Sequence, residues 1–162
     1  MVHEIKTSFG NAQIVIEGDV SKACLFTFHD IGMNNTTCFP RLFNCAAAAR
    51  ETLINDLTRV HINAPGQEPN APNLPEDAPP LTCDGLVELI EQVRQNFNIN
   101  RFVGMGVGLG AYLMLDYAVK HPNRVAGLIL FGATTRPLGW IEWAKRSLSS
   151  RAIRVIVSVN IT

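Results

Sequence analysis

The sequence lacks an excess of charge of either sign. Among its 162 residues, 14 lysines and arginines balance 14 aspartates and glutamates. A chain without net charge has no general electrostatic attraction to nucleic acid or to an anionic membrane. We therefore expect no nucleic-acid partner.

Long apolar runs are also missing. No segment reaches the roughly 18 consecutive apolar residues of a membrane-spanning helix. The opening residues, MVHEIKTSFG, do not form the apolar core of a signal peptide. With 47% hydrophobic residues, the chain is long enough to bury one core. We expect a soluble, cytoplasmic protein.

The four cysteines form no recognisable pattern. Cys24, Cys38, Cys45 and Cys83 include no C-x-x-C pair and show no regular spacing. Such spacing fits neither a zinc site nor a disulfide framework. We interpret each as a small buried apolar side chain or as a residue without a special role, and we expect neither a metal nor a cofactor.

Apolar strand-like segments alternate with helical ones along most of the chain. This order predicts an α/β protein with a mostly parallel sheet covered by helices on both faces. Strands are expected at 12–19, 23–30, 58–66, 101–106 and 125–132, and helices at 43–57, 85–99 and 111–121.

The chain changes character after Gly132. Residues 136–150 form an amphipathic piece with two tryptophans, which suits a helix on a core, a protein partner or a membrane surface. Residues 150–162 are an apolar, strand-like tail without an evident partner. We predict one domain over residues 1–149 and an atypical tail beyond it.

A cluster of glycines lies between a predicted strand and a predicted helix, at Gly104, Gly106, Gly108 and Gly110. From Gly106 onward it matches the G-x-G-x-x-G/A pattern that binds dinucleotides at a helix N-terminus. That pattern normally opens the first βαβ unit and needs an acidic residue after the next strand, and both features are missing here. A nucleotide-binding module is kept as a second alternative.

The position of the glycines favours a degenerate nucleophile elbow. In G-x-S-x-G the nucleophile occupies a strained strand-to-helix turn, and the spacing of Gly104, Gly106 and Gly108 places Gly106 at its centre. Glycine has no side chain with which to attack a carbonyl. A strand also leads into His29, Asp30 and Gly32, where this fold places a loop that donates to the oxyanion.

The acid and base of a hydrolase are not evident either. In this fold both follow the elbow, but beyond Gly106 the sequence offers only Asp116, Glu142 and His121. The HDIG sequence also occurs in metal-dependent phosphohydrolases, where it lies on a helix. Here it follows a strand, so we expect no metal. A hydrolase with an unconventional apparatus around His29 and Asp30 is the first alternative.

Several segments together resemble the N-myc downstream-regulated (NDRG) proteins, an α/β-hydrolase-like family generally regarded as non-enzymatic. They are FTFHDIGMN, CFPRLF, RVHINAPGQEPNAP, VGMGVGLGAYLMLDYAVKHPNRVAGLIL and GWIEWAKRSL, in family order. The resemblance implies a cytoplasmic, non-catalytic protein in signal transduction, differentiation, growth control or stress response. It also implies protein partners, with lipid or vesicle surfaces as a further class.

The sequence departs from the family in two places. Residues 44–53, NCAAAARETL, are richer in alanine than the family's first helix. Family members also continue into a cap region and further strands, whereas this chain continues as RAIRVIVSVNIT. We therefore expect the C-terminal part of the fold to be missing.

Overall fold

The computed structural model describes residues 1–48, 56–72, 79–133 and 155–158. The segments 49–55 and 73–78 and the predicted amphipathic piece at 136–150 lie outside the described residues. The strands are β1 Val2–Thr7, β2 Gly10–Glu17, β3 Cys24–Phe28, β4 Thr58–Asn63, β5 Phe102–Val107, β6 Val125–Phe131 and β7 Val155–Ser158. The helices are α1 Asn35–Cys38, α2 Pro40–Ala48, α3 Cys83–Asn96 and α4 Leu109–Lys120, and a single 3₁₀ turn spans Pro122–Arg124.

The described strands form one seven-stranded sheet in the order β1-β2-β4-β3-β5-β6-β7. The four central strands run parallel, with β3 between β4 and β5 and with β6 beside β5. The outer strands β1, β2 and β7 pair antiparallel. The predicted fold class is confirmed, with the parallel pairing confined to the centre of the sheet.

The tail differs from expectation, because β7 does have a partner. It pairs antiparallel with β6, from Leu128 opposite Ser158 to Phe131 opposite Val155. A free edge of β6 would have left a row of unpaired backbone groups. Hydrogen bonding along that edge explains why an apolar segment from the end of the chain forms a strand there.

Helices cover both faces of the sheet, because successive strand residues point to opposite sides. In β3, Phe26 and Phe28 belong to the larger core cluster with α3 and α4. Leu25 faces the other way, into a smaller cluster with Phe39 and Phe43 at the α1–α2 end. The carboxyl end of β3 therefore lies between two packed layers.

Two elements differ from the sequence-based expectation. β1 was not predicted, because VHEIKT is short and mostly polar. It forms an edge strand that buries Ile5. The helix predicted from residue 43 begins at Pro40, because proline suits a first helical turn, where its missing N–H has no partner to lose.

A buried polar pair lies between β3 and β4. His61, 3% exposed, joins its Nδ1 to the Thr27 hydroxyl at 2.7 Å and packs beside Phe39 and Phe43. Its Nε2 is 3.9 Å from the Glu17 carboxylate. Burial lowers the pKa of His61 below 6.5, Glu17 opposes this shift and Arg59 adds to it.

We expect acidification from pH 7 to 5.5 to destabilise the fold partly through His61. The unfolded histidine takes up a proton near pH 6.5, whereas the folded one resists it. Stability is therefore lost as pH falls below 6.5, by up to about 1.4 kcal/mol per pH unit for one histidine. The free energy of unfolding, measured with urea at several pH values across this range, should depend less steeply on pH for His61→Gln than for the wild type. The same dependence of unfolding free energy on pH in both proteins would contradict the expectation.

Candidate functional site

The glycine cluster forms a very tight connection between β5 and α4. The strand ends at Val107 and the helix begins at Leu109, so Gly108 alone makes the turn, with φ 54° and ψ −113°. These angles lie in the left-handed region that favours glycine. The sequence had placed the centre of the turn at Gly106, and the structure moves it two residues later.

Gly106 lies inside β5 instead, where it is paired with Phe28 of β3 and Leu130 of β6. A Cβ atom at Gly106 would overlap the backbone of Gly110 and Ala111 at the start of α4. The glycine is therefore needed for close approach of the helix to its own preceding strand. The G-x-S-x-G spacing applies to Gly106, Gly108 and Gly110, with Gly108 in the central position.

The other two glycines also allow close packing. A Cβ at Gly110 would overlap the Phe28 carbonyl oxygen, so α4 begins directly against the end of β3. A Cβ at Gly104 would meet only side chains, 2.9 Å from Leu128 Cδ2 and 3.1 Å from Met114 Sδ. Flexible side chains can move in a way that backbone cannot, so Gly104 is the less demanding position.

Asp30 reaches across to this turn from the loop after β3. Its Oδ1 accepts hydrogen bonds from the N–H groups of Ile31 and Leu109, both at 2.9 Å. In α/β-hydrolases the oxyanion is bound by the N–H after the nucleophile and by an N–H from the loop after the third strand. Leu109 follows the turn residue, and Ile31 lies in the loop after β3. Asp30 Oδ1 thus bridges these two N–H groups.

The Asp30 carboxylate also fills the space of a side chain at the turn. A Cβ on Gly108 would overlap the carboxyl carbon and both oxygens of Asp30. The sequence brought His29, Asp30 and Gly32 to this region but gave no sign of this contact. Asp30 and Leu109 are separated by 79 positions in the sequence.

Both ring nitrogens of His29 hydrogen-bond backbone groups. The residue is 2% exposed, its Nδ1 hydrogen-bonds the Asp30 carbonyl oxygen at 2.8 Å, and its Nε2 accepts from the Ala64 N–H at 3.0 Å. Burial lowers the pKa of His29 below its ordinary value, which keeps the ring neutral. Because Nε2 is occupied by a backbone N–H, it is not free to take a proton from a nucleophile.

Gly32 completes the loop. It adopts φ +71° in open space, and its N–H donates to Gln67 Oε1 at 2.9 Å. This bond ties the loop after β3 to the turn after β4. The predicted loop residues are thus together at the carboxyl end of the sheet, beside Gly108.

The candidate acid and base lie away from the turn. Asp116 is eight residues along α4 from Gly108, about 12 Å at the helical rise, and it pairs with Lys120 at 3.0 Å. His121 follows the far end of the same helix, and its N–H donates to the Tyr117 carbonyl. Glu142 lies outside the described residues.

Two features are absent from the described part of the chain. Among residues 1–48, 56–72, 79–133 and 155–158, no three His, Cys, Asp or Glu side chains come together as metal ligands. Within the same ranges, no helix has the length and apolar content needed to cross a membrane.

The parallel centre of the sheet, the helices on both faces and the tight strand-to-helix turn define an α/β-hydrolase fold. Solved structures agree. A hydrolase from Pseudomonas aeruginosa matches with a TM-score of 0.65 and 19% identity over 93% of this chain and 54% of its own. A thermophilic esterase from Thermogutta terrifontis matches with a TM-score of 0.63 and 19% identity over 90% and 50%.

Within this fold, the chain belongs to the Ndr family, whose model matches residues 2–161. Protein NDRG2 of Mus musculus is 34% identical over 91% of this chain and 40% of its own length. Protein NDRG3 of Xenopus tropicalis is 36% identical over 91% of this chain and 38% of its own length. The chain therefore spans about two fifths of the length of these relatives.

Proposed function

We propose that this chain is a non-catalytic member of the Ndr family that acts in the cytoplasm through contacts with protein partners. Signal transduction, differentiation, growth control and stress response are the processes that membership of the family suggests. Lipid or vesicle surfaces form a second class of partner. The hydrolase fold would then serve as a scaffold.

The observation that carries the proposal is the residue at the turn. Gly108 occupies the position at which a hydrolase of this fold presents its nucleophile, and it has no side chain. Acyl transfer on this scaffold requires an oxygen or sulfur atom there and a base within hydrogen-bonding distance. His29, the nearest histidine in sequence to the oxyanion loop, has both ring nitrogens engaged by backbone groups.

The geometry also weighs against the two alternatives. An unconventional hydrolase would need His29 or Asp30 free to polarise a water, but both hold backbone groups. A nucleotide-binding module would direct phosphate at the N–H groups opening α4. The Leu109 N–H already donates to the Asp30 carboxylate, which would repel a phosphate.

A substrate screen tests the proposal. Esters, amides and phosphoesters should show no turnover above the buffer rate with the wild type, because no nucleophile is presented. The measurement is product release at micromolar protein, with an active esterase of the same fold as positive control.

Two variants make the screen decisive. Turnover by the wild type that is lost in Asp30→Asn or His29→Ala would overturn the non-catalytic proposal. Turnover that is unchanged in both variants and separates from the protein on further purification would identify a contaminating enzyme.

A further inference from the structure

Asp30 and Gly108 occupy one shared space at the turn. Glycine at 108 leaves room for a carboxylate, and the Asp30 carboxylate fills the volume that any side chain at 108 would need. The two residues meet only in the folded protein, where the loop after β3 lies against the turn residue that precedes α4.

We propose that Asp30 is a built-in plug, which closes the oxyanion position from inside the protein and depends on glycine at 108. Its Oδ1 accepts hydrogen bonds from the Ile31 and Leu109 N–H groups, the same two that would bind a substrate oxyanion. A substrate oxygen cannot bind there while the carboxylate remains. The site is therefore closed twice, by the missing nucleophile and by the carboxylate in the oxyanion position.

The plug is held in place from its own loop. The Asp30 carbonyl oxygen accepts from His29 Nδ1 at 2.8 Å and the Met33 N–H at 3.1 Å. The neighbouring Gly32 N–H is fixed by Gln67 at 2.9 Å. These bonds anchor the backbone on both sides of Asp30, so the carboxylate is directed at the turn and the loop has little freedom to swing it away.

This inference deepens the proposed function at the same turn, but it rests on hydrogen bonds and excluded volume and makes a separate claim. The proposed function requires only that the chain has no turnover. The plug requires that residues 30 and 108 be energetically coupled, because the Asp30 carboxylate and any side chain introduced at 108 exclude each other. One can fail while the other stands.

A double-mutant cycle tests the coupling. The variants are Gly108→Ala, Asp30→Gly and the two together, with the midpoint of thermal unfolding as the readout. Gly108→Ala should lower the midpoint by several degrees in the wild-type background. In the Asp30→Gly background it should lower it by clearly less, because only the left-handed strain at position 108 remains.

Two matched controls test whether the cost of Gly108→Ala comes from overlap with Asp30, from backbone strain or from the charge of Asp30. Gly132→Ala introduces strain at another positive φ, +66°, with none of the described residues within 4 Å of an added Cβ, and should cost the same in both backgrounds. Asp30→Asn keeps the volume and one acceptor oxygen, so Gly108→Ala should remain as costly with it as with Asp30.

The plug would be overturned if the shifts in unfolding midpoint caused by Gly108→Ala and Asp30→Gly simply added in the double variant. It would also be overturned if Gly108→Ala lowered the midpoint less in the Asp30→Asn background than in the wild type. If Gly108→Ala does not fold alone, the double variant decides: recovered folding supports the plug, and no recovery overturns it. If Asp30→Gly does not fold, the shorter Asp30→Ser replaces it, with the same two outcomes.

Discussion

Gly110→Ala is expected to destabilise the protein by about 3 kcal/mol, the upper end of the cost of overpacking a core. The added Cβ would overlap the Phe28 carbonyl oxygen and lie 2.8 Å from that of His29. Both obstacles are backbone atoms at the end of the central strand β3, so neither can rotate away. In an exposed helix the same change stabilises by roughly 1 kcal/mol. Urea unfolding measures the change in the free energy of unfolding. A loss of stability supports the close contact of α4 with β3, and a gain contradicts it.

Gly32→Ala provides the matched comparison. Gly110 has an ordinary helical backbone, so its whole cost comes from the lack of space. Gly32 has nothing within 4 Å of an added Cβ, but its φ is +71°, so its whole cost comes from strain, roughly 1 kcal/mol. A Gly110→Ala variant as stable as the wild type, or one no worse than Gly32→Ala, would show that α4 does not begin against β3.

Glu91→Ala is expected to cost about 3 kcal/mol, the low end of the penalty for removing one partner of a buried ion pair, because the pair with Arg94 is only partly buried. Glu91 Oε1 accepts from Arg94 at 2.6 Å and from Gln95 at 2.7 Å. Its Oε2 accepts from Arg94 at 2.9 Å and from the Tyr117 hydroxyl at 2.6 Å. Tyr117 is fully buried in α4, so its hydroxyl would lose the carboxylate that accepts its hydrogen bond.

The control is Gln95→Ala, which removes one exposed donor and leaves Glu91 three hydrogen bonds. It should cost about 1 kcal/mol or less. Chemical denaturation of the two variants beside the wild type measures the difference. A Glu91→Ala variant no less stable than Gln95→Ala would show that the carboxylate does not tie α3 to α4.

The same carboxylate sets part of the acid sensitivity. Hydrogen bonding from Arg94 holds the pKa of Glu91 at about 2, below its ordinary 4.5. The stabilisation is therefore complete above pH 4.5 and lost as pH falls towards 2. Stability measured across this range should fall more steeply for the wild type than for Glu91→Gln, which has no carboxylate to protonate.

Much of the architecture could be read from residue patterns. Alternating apolar strands and helices predicted the α/β class because burial on both faces imposes continuous apolar strands. Helix boundaries such as His121 followed by Pro122 were visible because proline restricts the residue before it. β1 was missed because an edge strand buries little, so its sequence need not be apolar.

The sequence predicted the region of the site but not which of its glycines makes the turn. Glycines at 104, 106, 108 and 110 fit the elbow spacing in two overlapping ways, and every glycine tolerates the strained turn. Strand pairing decides between them: β5 still pairs at Val107, opposite Phe131. Gly108 is therefore the first residue free to turn, a fact that depends on a neighbouring strand.

By itself, the sequence determined the fold class and the family, because these depend on the order of residue types within segments of the chain. The tertiary structure alone decided that Gly108 makes the turn, that β7 pairs with β6 and that the Asp30 carboxylate accepts from the Leu109 N–H. Each of these is a contact between segments far apart in the chain. Only packing around the shared core brings such segments together.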